Sequence, residues 1–288
     1  MDPNSLIIKD IDTIRSLSRN AKKEGLKVSL VPTMGALHDG HLRLIKKASE
    51  VSDYVIVSIF VNPTQFAPHE DFDSYPRDLE KDLELSLEAG ASVIFNPNVK
   101  MIYPIGYSTF VNVPKLAEKF EGEFRPQFFT GVATICTQLF IMTEPDITIF
   151  GQKDYQQSLI IRRMVQDLKL PIEVLVEPTI RESNGLAMSS RNQYLSEELK
   201  EKSSILFSSL QEARQAIENG ERNRKIINAI MHKNLRTVPE IKLDYASSAL
   251  AESLETPEEF LKGDEIVLLI AVHLGKTRLI DNTLVKIP

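Results

Sequence analysis

Cysteine is nearly absent from this chain: Cys136 stands alone in 288 residues. A disulfide needs two thiols and a cysteine zinc site several, so neither framework can form within the chain. Cys136 lies in the apolar run VATICTQLFIM and reads as a buried thiol packing as a small hydrophobe. Long hydrophobic runs are missing as well. None approaches the ~20 residues that span a bilayer, so no membrane partner is expected. The opening MDPNSLIIKDIDTI has no basic region followed by an apolar core, which points away from a signal peptide and toward the cytoplasm. Dense Lys/Arg blocks are lacking too: 34 basic residues face 40 acidic ones, for a net charge of −6. Nucleic acid is therefore not expected as a main partner. Neither G-x-G-x-x-G nor G-x-x-x-x-G-K-[ST] occurs, which removes the usual sequence support for dinucleotide and P-loop phosphate binding.

What is present belongs to an ordinary globular protein, 42% hydrophobic and 26% charged, with length for roughly two domains. The spacing of Ile8, Ile11, Ile14 and Leu17 predicts a helix over 5–24, followed by a strand at 27–31 and a helix in LRLIKKASEVSD. YVIVSIF, apolar on successive positions, reads as a strand buried on both faces, as parallel sheets require. A helix over 75–89 stops at Gly90, and a strand follows at 92–97. Residues 98–128 read as a flexible excursion. A helix at 130–143, a strand at 147–151, a helix through GQKDYQQSLIIRRMVQDL and a strand at 172–178 complete the alternation. This is the pattern of an α/β, Rossmann-like, doubly wound parallel sheet, assigned to residues 1–178. Beyond Pro178 come a polar loop, two amphipathic helices at about 196–218 and 222–236 parted by Asn219-Gly220, and strands in IKLDYASS and EIVLLIAVHLGKTRLIDN. They predict a smaller α+β domain over 179–288.

The chemistry gathers around Val31 to His41, VPTMGALHDGH. A loop from a strand's carboxyl end to a helix amino end offers free N–H groups and a positive dipole to phosphates. Gly35 and Gly40 permit close backbone approach. His38 and His41, three apart, share a face if both lie in the first helical turn, where their imidazoles can donate to phosphate oxygens as charge moves. Asn62-Pro63-Thr64-Gln65 presents amides suited to hydroxyl and carboxylate groups, though such a tetrapeptide is also an ordinary turn. Lys153 stands at a helix start, where an ammonium is disfavoured unless it serves an anion; Asp154 can cap the helix, bind a ribose hydroxyl or bind hydrated Mg²⁺, and Gln157 lies one turn on. Met188-Ser189-Ser190-Arg191 makes a flexible clamp for pyrophosphate oxygens. Arg125 can reach a carboxylate or a phosphate.

The H-x-G-H stretch resembles the HIGH signature of the nucleotidyltransferase superfamily. PTMGALHDGHL, FVNPTQF, SYPRDLEKD, FTGVATICTQLF, PDITIFGQKDYQQ and GLAMSSRNQYLS, in that order over about 28–195, resemble the pantoate–β-alanine ligase (pantothenate synthetase) family. The resemblance implies ATP-dependent condensation of pantoate with β-alanine through pantoyl adenylate, releasing pyrophosphate and AMP, within pantothenate and coenzyme A synthesis. It implies ATP, pantoate and β-alanine as partners, Mg²⁺ as cofactor and a homodimer. By the same resemblance His38, His41, Lys153 and Arg191 are catalytic; Met34, Gly40, Gly151, Asp154, Met188, Ser189 and Ser190 join them around ATP. Met34, Gln65 and Gln157 would bind pantoate, Asn62 and Arg125 would position β-alanine or the adenylate, and Asp82 would meet Mg²⁺ through water. The 179–288 domain would form a lid, with a mobile 183–192 loop shielding the adenylate. Two positions depart from the pattern: Phe128 stands where a histidine is usual, in Arg125-Pro126-Gln127-Phe128-Phe129, and Gln138 where a lysine is frequent. The alternatives in view are a nucleotidyltransferase that leaves the nucleotide on its product, a non-catalytic nucleotide-binding module and an aminoacyl-tRNA synthetase fragment.

Overall fold

A computed structural model describes residues 3–67 and 70–288 of the chain. The chain divides into two compact units: 1–118, 125–152 and 156–178 in the first, and 119–124, 153–155 and 179–288 in the second.

The first unit opens with β1 (Ile7–Ile8) and α1 (Ile11–Lys23). The single helix expected over 5–24 is thus corrected. Asp10 adopts extended backbone and accepts from the Thr13 amide at 2.7 Å, so the helix starts only after this cap, and Ile8 belongs to a strand. Then come β2 (Val28–Thr33), α2 (Asp39–Val51), β3 (Tyr54–Ile59), a 3₁₀ turn at Pro63–Gln65, α3 (Leu79–Glu88) and β4 (Val93–Phe95). The helix expected from Tyr75 begins four residues later, where Asp78 caps it by accepting from the Lys81 amide. The supposed excursion holds three short helical turns, α4 (Val99–Ile102), α5 (Pro114–Ala117) and α6 (Glu121–Phe124), the last grouped with the second unit. α7 (Phe128–Thr143), β5 (Ile147–Gly151), a 3₁₀ turn at Gln152–Asp154, α8 (Tyr155–Asp167) and β6 (Glu173–Glu177) follow.

Among the described residues six strands form one parallel sheet in the order β1-β4-β3-β2-β5-β6. The chain runs outward from β2 through β3 and β4, then returns to the other side of β2 at β5. That reversal makes the carboxyl ends of β2 and β5 a topological switch point, where open α/β sheets bind ligands. Val31, Val57, Ile94, Ile147 and Ile149 pack with Ile45 and Ala48 of α2 and Leu83 of α3 in the core of this unit. Cys136 is buried on α7, and burial pushes its thiol up to about 12, as suits a hydrophobe and not a nucleophile. Among the described residues no helix is long and apolar enough to cross a membrane.

In the second unit a hairpin closed by an Arg181–Ala187 bridge leads to a 3₁₀ turn at Ser190–Tyr194. α9 (Glu197–Glu218) and α10 (Arg224–Leu235) cover an antiparallel sheet of β7 (Ile241–Leu250), β8 (Glu265–Leu274) and β9 (Thr277–Lys286). Its own core joins Leu206, Leu210 and Ile217 of α9 to Ile227 and Met231 of α10 and Leu268 and Ile270 of β8.

Candidate active site

The switch point is occupied by the loop that the sequence singles out. β2 runs through Thr33, and α2 begins at Asp39 with His38 as its cap. Met34 and four further residues make the turn. Gly35 has φ +80°, and a Cβ there would stand 2.7 Å from Asp82 Oδ2. Ala36 has φ +52°, a conformation non-glycine residues seldom adopt. What holds the turn is Asp82 of α3, whose carboxylate accepts from the amides of Ala36 at 3.0 Å and Leu37 at 2.8 Å. Burial raises the Asp82 carboxyl above its ordinary value, with the two amides drawing it back. Thr33 Oγ1 donates to the Ser58 carbonyl and accepts from the Gly35 amide.

The two histidines close a reciprocal cap. His38 Nδ1 accepts from the Gly40 amide at 3.2 Å, and His41 Nδ1 accepts from the His38 amide at 3.4 Å. An imidazole nitrogen that accepts carries no proton, so in both neutral rings the proton resides on Nε2. The ring centroids stand 4.1 Å apart at a tilt of 41°. Thus the expectation of a shared face holds, and both rings use one nitrogen to start the helix while Nε2 is the donor. Gly151 ends β5, the other strand of the switch point; a Cβ there would only touch Leu44 of α2 at 4.0 Å.

A second cluster follows β3. Asn62 is fully buried and its amide is saturated: Nδ2 donates to Gln65 Oε1 at 2.9 Å and to the Gly131 carbonyl, while Oδ1 accepts from Tyr103 at 2.8 Å and from Thr64. Its work is to orient Gln65, leaving Gln65 Nε2 as the donor end. Gly131 allows this junction, since a Cβ there would lie 2.5 Å from the Thr64 carbonyl oxygen. Arg125 forks onto Glu70 at 2.7 and 2.8 Å, donates to the Gln65 carbonyl at 3.0 Å, and lies 3.8 Å from the Phe128 ring centroid. Arg125 is thus a brace for Gln65 as well. Phe128 supplies the ring that the brace stacks on, and Gln138 donates to the Tyr107 hydroxyl at 3.1 Å. Gln127 holds φ +72°, the third position of a turn closed by the Phe128 amide on the Arg125 carbonyl. Sequence reading missed Glu70, Tyr103 and Gly131. Only Gly131 left a signal, as a glycine inside an apolar helix.

In the second unit Lys153 lies in the 3₁₀ turn before α8, with its ammonium 3.4 Å from Asp154. Ser189 caps the next 3₁₀ turn by accepting from the Arg191 amide, and Ser190 and Arg191 lie in that turn. The loop read as a flexible clamp has a framework of its own: Met188 donates to the Ile180 carbonyl, and Asn192 Nδ2 joins Glu182 at 2.6 Å to the Ala187 carbonyl at 3.1 Å. Asp82, named from the sequence as meeting Mg²⁺ through water, gives one acceptance from each carboxylate oxygen to the loop and keeps a lone pair on each for a further donor. Among the described residues no three His, Cys, Asp or Glu side chains cluster to hold a metal ion.

Comparison with known proteins adds three findings. A family model described as pantoate-beta-alanine ligase matches residues 6–284. A pantothenate synthetase of Moorella thermoacetica is 45% identical over 281 residues, covering 98% of this chain and 99% of that protein, and one of Enterococcus faecalis is 48% identical over 277 residues, covering 96% and 98%. Among solved structures, pantothenate synthetase of Thermus thermophilus superposes with a TM-score of 0.88 at 40% identity, covering 96% of this chain and 98% of that one. The ligase of Francisella tularensis, complexed with beta-gamma ATP and beta-alanine, superposes with a TM-score of 0.74 at 33% identity, covering 97% of both.

Proposed function

The chain belongs to the pantoate–β-alanine ligase family and condenses pantoate with β-alanine at the expense of ATP; from that premise we propose how its residues divide the work. The observation that carries the reading is the reciprocal cap of His38 and His41, which makes Nε2 the donor of both rings at the sheet's switch point. A pantoate carboxylate oxygen attacks the α-phosphorus of ATP. The bond to the β-phosphate oxygen breaks, and pyrophosphate leaves with the electron pair. The two Nε2–H groups and the first amides of α2 stabilise the charge that shifts onto the phosphate oxygens. Met34 and Gly40 border this position.

Lys153, Ser189, Ser190 and Arg191, with Met188, hold the β and γ phosphates, and Gly151 and Asp154 meet the ribose. Pantoate is held by Gln65 and Gln157 beside Met34. Asn62 and Arg125 act through Gln65, Asn62 orienting its carboxamide and Arg125 fixing its main-chain carbonyl. In the second step the uncharged amine of β-alanine attacks the acyl carbon, AMP departs and the amine gives up its proton. No side chain forms a covalent bond, so the rate rests on positioning and preorganised charge.

Mg²⁺ would accompany ATP, and the chemistry it would supply is neutralisation of phosphate charge. Asp82, whose oxygens each accept one loop amide, would meet that ion through a water bonded to a remaining lone pair. A cytoplasmic homodimer is the assembly in keeping with the reading.

Isotope exchange between pyrophosphate and ATP tests it, run with Mg²⁺ and without β-alanine. Exchange that depends on pantoate is the expected result. If neither exchange nor AMP formation responds to pantoate, even after β-alanine is added, the adenylate route is wrong.

A further inference from the structure

We propose that Asp281 and Asn282 of β9 are positioning residues that set the distance between Lys153 and the Ser189–Arg191 turn, and through it the grip on the nucleotide's phosphates. The inference rests on the phosphate roles given above to those two segments.

Asn282 is 2% exposed, and its Nδ2 donates to the main-chain carbonyl of Lys153 at 2.9 Å. Tyr155, two residues on, donates its hydroxyl to the Ala251 carbonyl at 2.8 Å, so the 153–155 segment is tied at both ends. Asp281, the neighbouring residue, is 3% exposed and receives a two-pronged bond from Arg181, Nη1 at 2.6 Å and Nη2 at 2.9 Å. Arg181 begins the hairpin that delivers Met188, Ser189, Ser190 and Arg191. Its Nη1 also donates to the Gly185 carbonyl across the hairpin, and its guanidinium lies 4.1 Å from the Phe207 ring centroid on α9. Gly185 has φ +92°, and a Cβ there would meet Phe207 at 2.7 Å, so the hairpin fits against α9 only with glycine at its tip. Asn192 then ties the hairpin to the 3₁₀ turn through Glu182 and the Ala187 carbonyl.

Two consecutive residues of one strand therefore hold two segments that are each remote from that strand in sequence. Asn282 and Lys153 are separated by 129 positions, Asp281 and Arg181 by 100. Asp281 Oδ1 also accepts the Asn282 amide at 2.7 Å, which couples the two tethers. Burial raises the Asp281 carboxyl, while Arg181 and, more weakly, the Lys153 ammonium draw it back, so the tether and the phosphate ligand share one local field. A strand paired along its length to β8 is a stiff ruler. For a triphosphate held at several points, a slip at one end of that ruler weakens the contact that end delivers.

The test is a double-mutant cycle read on ATP. Asn282→Leu keeps the side chain's shape and removes the donor. Expected is a roughly fivefold to tenfold rise in KM for ATP, the effect of one lost hydrogen bond, with KM for pantoate within about twofold of wild type. A role confined to stability would lower the active fraction and leave both KM values alone. In a Lys153→Ala background the same substitution should change ATP KM by less than about twofold, because the residue acts through Lys153. An unchanged ATP KM in the single variant, or an equal factor in both backgrounds, overturns the proposal. Wild-type ATP handling by Lys153→Ala alone overturns instead the phosphate role on which it rests. Should Asn282→Leu fail to fold, Asn282→Ser, which cannot span to the carbonyl, carries the same expectation. Arg181→Lys, keeping the charge on Asp281 with a single prong, should raise ATP KM without depending on Lys153.

Discussion

Each imidazole of the His38–His41 pair spends Nδ1 on a backbone amide and has Nε2 as its donor, so the two jobs can be separated by substitution. His41→Asn retains an acceptor for the His38 amide and removes the ring donor. It should melt near wild type while turnover falls by roughly 100-fold, the usual scale for removing one preorganised donor to a charge-developing oxygen. His41→Ala loses the cap as well and should melt lower by the few degrees that a helix cap supports. Wild-type turnover in the Asn variant would remove His41 from the chemistry. The pair was legible in the sequence because everything that defines it lies within four residues. The partners that make the neighbouring residues work were not: Asp82 lies 46 positions from Ala36, Glu70 lies 55 from Arg125, and Tyr103 lies 41 from Asn62. A carboxylate in a charged helix carries no mark of the loop it will hold. For the same reason the sequence does not reveal that Asn62 bonds the Gln65 carboxamide, or that Arg125 bonds Glu70 and the Gln65 main-chain carbonyl.

Long, periodic elements emerged from sequence almost in place, α9 and β5 being the clearest cases. Short ones did not, because a two-residue strand has no period to read. Ile7 and Ile8 are strand only through pairing with Ile94 and Phe95 of β4, and Ile8 falls by chance on the face of the helix that follows. The end of α7 shows another long-range choice. Glu144 sits at φ +45°, the left-handed conformation, after the last turn of the helix, and Arg19 of α1 forks onto its carboxylate at 2.6 to 3.1 Å. The Arg19 hydrogen bonds hold the Glu144 carboxyl below its ordinary value of 4.5, with burial acting in the opposite sense. A lowered folded-state value means that the contribution is complete above the unfolded value and fades as pH falls below it. Glu144→Gln should therefore melt slightly below wild type at pH 7 and match it near pH 3, with the gap narrowed by salt because both partners are partly exposed. A melting difference that stays constant from pH 7 to pH 3 would show that the ion pair is not its source.

On the scale of the whole chain, composition and alternation foretold a parallel sheet followed by an α+β region, and one structural feature has no counterpart in sequence order. The carboxy-terminal unit recruits residues 119–124 and 153–155 from within the chain of the first unit. Hydrogen bonds from Asn282 to the Lys153 carbonyl and from Tyr155 to the Ala251 carbonyl tie in 153–155, and a buried ionic group ties in 119–124. Arg278 of β9 binds Glu121 of α6 at 2.6 Å and Asp244 of β7 at 2.8 Å, and Tyr245 donates to Glu121 at 3.3 Å while its ring packs with Phe120 and Phe124. Burial raises the Tyr245 phenol well above its ordinary range, so it remains a neutral donor to Glu121 at all working pH values. Asp244 and Glu121 together answer the Arg278 charge; removing one leaves a half-compensated cation away from water, which typically costs about 3–5 kcal/mol. A fragment beginning at residue 179 lacks Glu121, both phenylalanines and the 153–155 segment. It should melt well below the corresponding transition of the intact protein and with lower cooperativity in calorimetry. Glu121→Gln in the intact chain keeps a hydrogen-bonding side chain and the aromatic packing, so it should fall between the two. If the fragment melts like the intact unit, the ionic group adds little, and residues 119–124 are carried by the second unit without supporting it.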